Sequence, residues 1–153
     1  MSVSVEILDP RPGHVTLLAE LFAIIAADPS SRRFHPHPFT QAEAARICSY
    51  HGNDRYIVLR VDDRFLGYGL LRGWDEGFAV PSLGIYVAPE LRGRGASRLL
   101  MKHLQLVARL SGAKQIRLKV YPDNIAAHKL YLSLGYRFSE LLEAGQLVGT
   151  LEL

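Results

Sequence analysis

Apolar residues recur along this chain in two rhythms, and each change of rhythm marks an element. Val3 to Leu8 alternates and predicts a short strand ended by Asp9-Pro10. Between Gly13 and Ala27, the residues Val15, Leu18, Leu21, Phe22 and Ile25 return at helical spacing, and Asp28-Pro29 stops the helix. Ser30 to Phe39, with Pro29, Pro36 and Pro38 in and beside it, reads as a loop. Thr40 opens a second helix, with Glu43 placed for a capping box. Tyr56 to Val61 and Phe65 to Leu71 flank Asp62-Asp63-Arg64 as a hairpin, and Gly73 to Val80 forms a longer connection.

A strand at Leu83 to Val87 runs into a helix from about Gly95 to Leu110, carrying Leu99, Leu100, Leu104, Val107 and Ala108. Ile116 to Val120 is a strand, and Ile125 to Leu134 a short helix closed by Gly135 in a C-cap position. Tyr136 to Leu141 and Leu147 to Leu153 pair as a final hairpin. The order βααββ followed by βαβαββ predicts an α/β (α+β) domain. Its mixed, mostly antiparallel sheet of about seven strands is flanked by about four helices, with a parallel crossover in the second half.

Composition narrows the function classes. At 153 residues, with 48% apolar and 22% charged, residues 1–153 are expected to form one domain. The most apolar run, Leu17 to Ala27, contains Glu20 and is too short to span a bilayer, so no membrane association is expected. Glu6, Asp9 and Arg11 interrupt any signal-peptide pattern, and the only cysteine, Cys48, excludes an intrachain disulfide. A cytoplasmic monomer or homodimer is the expectation. The net charge is a modest +3, and the basic residues are dispersed except around Arg92, Arg94, Arg98 and Lys102. That cluster suits a small phosphate-bearing ligand better than a nucleic acid.

The cluster surrounds the most informative turn, Arg92-Gly93-Arg94-Gly95-Ala96-Ser97. A strand enters it and a helix starts inside it, so free N–H groups and the positive end of the helix dipole create an anion site. Glycine allows phosphate oxygens to approach the backbone. A P-loop would need Gly-Lys before Ser or Thr, and a dinucleotide fingerprint starting at Gly93 would need glycine where Arg98 stands. Taken alone, the turn is equally readable as plain structure.

The turn resembles the acetyl-coenzyme A signature of the GCN5-related N-acetyltransferase superfamily, with Arg92, Gly95 and Ser97 at the characteristic places and Ser97 departing from the usual Gly or Ala. Asn124-Ile125-Ala126-Ala127-His128-Lys129-Leu130-Tyr131, followed by Gly135-Tyr136, resembles the second motif of the same superfamily. The resemblance implies acetyl-CoA as co-substrate and no metal. It implies that Asn124 holds the pantetheine arm and that Tyr131 lies beside the sulfur as the general acid. The pyrophosphate falls on Arg92 to Ser97. Ile85, Tyr86 and Val87 lie on a strand that splays from Ile116 to Val120 and offers its backbone to the pantetheine amides.

A base must also take a proton from the amine. Members of the superfamily often carry Glu on the strand that here reads Leu83 to Val87, which has no carboxylate. Asp75, Glu76 and Tyr86 are the candidates, although for the first two a solvated turn is an equal reading. On the acceptor side, Phe34 to Phe39 brings His35 and His37 toward the substrate, and simple loop packing accounts for them equally well. The stretch around Trp74 resembles a subgroup from sugar and surface-polysaccharide pathways, which implies an amino sugar, free or nucleotide-linked, stacked on Trp74. The general expectation is a small-molecule amine acceptor. Protein amines and a non-catalytic acyl-CoA sensor are the alternatives.

Overall fold

The alternating segments pair into one sheet. A computed structural model describes residues 2–153. Among them are seven strands: β1 (Val5–Leu8), β2 (Arg55–Val61), β3 (Arg64–Arg72), β4 (Ser82–Val87), β5 (Gln115–Val120), β6 (Arg137–Glu143) and β7 (Gln146–Glu152). Their spatial order is β1-β2-β3-β4-β5-β7-β6. Every neighbouring pair is antiparallel except β4 and β5, which are parallel. Such a parallel pair needs a crossover, and α3 (Ala96–Leu110) supplies it. The other helices are α1 (Val15–Ala27), α2 (Gln41–Cys48) and α4 (Ile125–Ser133).

The sheet separates two apolar clusters. On one face Leu18, Leu21, Phe22 and Ile25 of α1 and Ala44 and Ile47 of α2 meet Tyr56, Val58, Tyr68, Leu70 and Tyr86. On the other face Leu100, Met101, Leu104 and Ala108 of α3 meet Ile57, Leu59, Leu83, Val87, Ile116 and Leu118, with Leu130 and Tyr131 of α4 and its C-cap Leu134 packed alongside. Those four α3 residues are fully buried, and burying each of the three large side chains contributes about 1.5–3 kcal/mol. Close approach of α3 depends on Gly69, where an added Cβ would stand 2.9 Å from Leu104 Cδ1 and 3.1 Å from Ile57 Cγ1.

The predicted capping box forms in half. Thr40 Oγ1 accepts the Glu43 N–H at 3.1 Å, while the Glu43 carboxylate turns to the Arg46 guanidinium one turn on. An ion pair at this spacing draws the acid away from the backbone N–H it would otherwise cap.

What positions the site is the seam between β4 and β5. Their ladder has one register pair, Ser82 with Arg117, beside an Arg117 N–H bond to the Pro81 carbonyl at 3.0 Å. Beyond it the strands diverge, while β4 stays fully paired to β3 from Arg72–Ser82 to Gly67–Val87. The Ala88 N–H bonds Leu66 O at 2.8 Å, toward β3. By strand alternation Leu83, Ile85 and Val87 therefore direct their N–H and C=O groups into the open gap. The predicted splay is present.

Candidate functional site

At the open end of the seam, β4 leads through one 3-10 turn, Pro89–Leu91, into Arg92 and then α3. Gly93 and Gly95 have φ of +76° and +86°, a region closed to most L-residues, and an added Cβ at either would meet no atom within 4 Å. Gly95 is the N-cap of α3 and no side chain caps the helix. The first-turn N–H groups therefore have no side-chain acceptor from the helix's own N-cap. Arg94, Gly95 and Arg98 are exposed around this helix start, and Ala96 and Ser97 are half-buried. Uncapped donors, a favourable helix dipole and basic side chains fit the pyrophosphate of a coenzyme A molecule.

Across the gap, Asn124 is the N-cap of α4, its Oδ1 accepting the Ala127 N–H at 3.3 Å. Tyr131 lies on α4 against the α3-side core, with its ring 5.9 Å from that of Tyr136. Burial pushes its phenol up to about 12, and its hydroxyl bonds no other described residue. Arg98 Nη2 donates to Ser133 Oγ at 2.9 Å and links α3 to α4 over the same face.

The three candidate bases stand on the expected elements and differ in how each is held. The Tyr86 hydroxyl donates to Asp28 Oδ2 at 2.7 Å, and burial together with the Asp28 carboxylate raises its pKa, which suits a held donor and not a base. Asp75 accepts from the Tyr50 hydroxyl and the Asn53 N–H, so it ties the β3–β4 connection to the loop before β2. Asp54, itself buried, completes this knot by accepting from Gly73 and Asp75 N–H groups. Glu76 is exposed in the same connection, at the closed end of the seam. Trp74 is half-buried and packs against the α3-side core; the sugar-pathway resemblance is not supported by the family match or the structural neighbours described below.

The two histidines diverge as well. His35 is exposed and lines a pocket of about 220 Å³ with Ile25, Asp28, Phe34 and Phe39. The His37 ring is buried. Its Nδ1 lies 2.7 Å from the Pro38 carbonyl, which only a donor can satisfy, leaving Nε2 to accept from Tyr68 Oη at 2.7 Å. Burial lowers its pKa below 6.5 despite Glu43 at 4.0 Å. The unfolded chain therefore binds this proton more readily than the fold does. His37 contributes stability that is complete above pH 6.5 and is lost as pH falls through its folded pKa. Urea midpoints for wild type should drop between pH 7.5 and 5, and His37→Gln should flatten that slope; equal slopes would remove His37 from this role.

Three features escape sequence reading. Asp28 gathers the Tyr86 hydroxyl, Arg92 Nη2 at 2.6 Å, and the N–H and hydroxyl of Ser30 at 3.0 and 2.8 Å. Burial would raise its pKa, but these donors outweigh it and hold the carboxyl well below the usual range. Phe34 lies over β4, stacked on Tyr86 at 6.3 Å, where an added Cβ on Gly84 would stand 3.2 Å from its ring. Arg33 crosses to the far side of the gap, donating to both Asp123 oxygens at 2.8 and 2.9 Å and lying 4.4 Å over the Tyr121 ring. In sequence, Asp28-Pro29 signals only a helix stop and Arg33 only a loop charge. Their partners are 58 to 90 residues away.

Among the described residues no group of three or more His, Cys, Asp and Glu is arranged to hold a metal ion, and no helix is long and apolar enough to cross a membrane. The fold is shared with the GNAT domain of S. lividans PAT, at a TM-score of 0.82 and 19% identity over 97% of this chain and 90% of that one. It is similar to the PaiA N-acetyltransferase from Thermoplasma acidophilum, solved in complex with coenzyme A, at 0.75 and 15% over 98% and 99% of the two chains. The ribosomal-protein-S18-alanine N-acetyltransferase from Escherichia coli matches at 0.72 and 18%, over 97% and 94%. Residues 19–136, well over half of the sequence, match the acetyltransferase (GNAT) family. This chain belongs to the acetyltransferase (GNAT) family.

Proposed function

We propose that the protein transfers the acetyl group of acetyl-CoA directly to a primary amine of a small molecule. The observation that carries the reading is the seam itself: β4 has no pairing to β5 beyond Ser82, its free backbone edge faces the gap, and the gap opens onto an uncapped helix start flanked by glycines. In this reading the N–H groups from Gly93 to Ser97 hold the pyrophosphate, with Arg92, Arg94 and the α3 dipole adding positive charge. Ile85 and Val87 pair with the pantetheine amides, and Asn124 binds the arm from the other wall. A backbone N–H near Val87 polarises the thioester carbonyl.

The amine nitrogen forms a bond to the carbonyl carbon, the carbon–sulfur bond breaks, and Tyr131 Oη gives its proton to the departing sulfur. The proton then shed by the acylated nitrogen restores the phenol through solvent. With Tyr86 and Asp75 engaged elsewhere, the ammonium proton leaves to water, directly or through Glu76. Most of the rate advantage then comes from holding both reactants on one platform. A small acceptor is supported by the connection between α1 and α2, which lies over β4 through Phe34 and reaches the far wall through Arg33.

The absence of a carboxylate on β4 favours one competing reading, an acyl-CoA-binding sensor without turnover. Mass spectrometry of a primary-amine panel with acetyl-CoA separates the two. Acetylated product above the uncatalysed background supports the transferase. Saturable binding of acetyl-CoA with no product on small amines or peptides supports the sensor.

A further inference from the structure

We propose that Asp28 is a positioning residue that couples the coenzyme A loop to the acceptor-side connection between α1 and α2, acting through Arg92. The inference rests on the cofactor placement proposed above and extends it to a residue outside both motifs. Asp28 ends α1 and begins the connection that carries Arg33, Phe34 and His35. Its side chain is only 8% exposed, and every donor it accepts comes from one of three places: its own turn (Ser30), β4 (Tyr86) or the cofactor turn (Arg92).

Arg92 is fixed at two of its nitrogens. Nε donates to Val87 O at 3.1 Å and Nη2 to Asp28, while the guanidinium lies 5.6 Å over the Tyr86 ring. A guanidinium has five N–H donors in a rigid plane, so Arg92 can hold Asp28 and an anion on its turn together. The first residue of the cofactor motif is thus a shared ligand. An anion that orders residues 92–97 orders Arg92, hence Asp28, hence the start of the connection over the acceptor face. Coupling of this kind is reciprocal: a connection already held in place leaves less to be ordered when the cofactor binds.

Asp28→Asn is a suitable probe. The amide oxygen still accepts from Ser30, so the turn after α1 keeps its cap, while the charge facing Arg92 is removed. Arg32 and Arg33 are exposed in the connection and offer trypsin sites there. Coenzyme A should slow cleavage at these two sites in wild type by about 5-fold or more, the lower end of ordinary coupling between sites. In Asp28→Asn the protection should vanish and the calorimetric Kd for coenzyme A should rise by a similar factor. Arg92→Gln should lose the protection too, and adding Asp28→Asn to it should change nothing further.

A merely structural Asp28 would lower the melting temperature and leave protection by coenzyme A intact in any folded variant. Equal Kd and equal protection in wild type and Asp28→Asn, or full additivity in the double variant, would overturn the coupling while leaving the cofactor site standing. Failure of wild type to bind coenzyme A at all would overturn the functional reading and the coupling with it.

Discussion

Tyr131→Phe should cut kcat by about 10²-fold or more while leaving the affinity for acetyl-CoA nearly unchanged, because general acid catalysis contributes about 10²–10⁴-fold. The substitution removes one oxygen from a side chain that packs through its ring against the α3-side core, so the fold loses little. The hydroxyl bonds no other described residue, and no protein partner is left unsatisfied. Burial has pushed its pKa up to about 12, so the phenol is protonated throughout the working range and always has a proton to give. The proton is called for only as negative charge develops on the departing sulfur, which places the effect in the transition state. Kinetics should therefore show kcat and kcat/KM falling together. A Tyr131→Phe enzyme within twofold of wild type would remove Tyr131 from the chemistry.

Gly95→Val should weaken coenzyme A binding by about 10–100-fold and lower stability as well. Space is not the reason, since an added Cβ would touch nothing within 4 Å. The reason is the φ of +86° at the N-cap of α3. A β-branched residue there costs about 1–3 kcal/mol of backbone strain, or else the turn shifts and its N–H groups lose their common target. Asn tolerates left-handed backbone better, so Gly95→Asn should retain more binding than Gly95→Val. Calorimetric titration with coenzyme A reads both. Equal affinity in all three proteins would mean that this turn does not grip the cofactor.

The fold was legible because its signals are local. Apolar runs, their periodicity and local cap and turn residues marked all seven strands and all four α-helices, and Gly95, Gly112 and Gly135 stand at helix ends with positive φ, where a start or a stop was expected. The turn from Arg92 to Ser97 was legible for the same reason, since a helix start with two glycines is a contiguous feature. The acceptor side was not. Asp75 and His37 each carried two equal readings in sequence, and Asp75, Trp74 and His37 all have partners that only tertiary structure brings near: Tyr50 for Asp75, the α3-side core for Trp74, Tyr68 for His37. The converse holds for Asp28, Arg33 and Phe34. Their importance lies in contacts across 58 to 90 residues of sequence or, for Phe34, across the gap between a loop and β4. No periodicity encodes such contacts.

The central claim is that acetyl-CoA seats between β4 and β5 with its pyrophosphate on the turn from Arg92 to Ser97. A crystal structure of the protein with coenzyme A tests it most directly. The account predicts phosphate oxygens within about 2.7–3.2 Å of the backbone nitrogens from Gly93 to Ser97. It also predicts pantetheine amides paired to Ile85 and Val87, and sulfur beside Tyr131 Oη. Coenzyme A bound elsewhere, or a seam closed by continued β4–β5 pairing beyond Ser82, would contradict it.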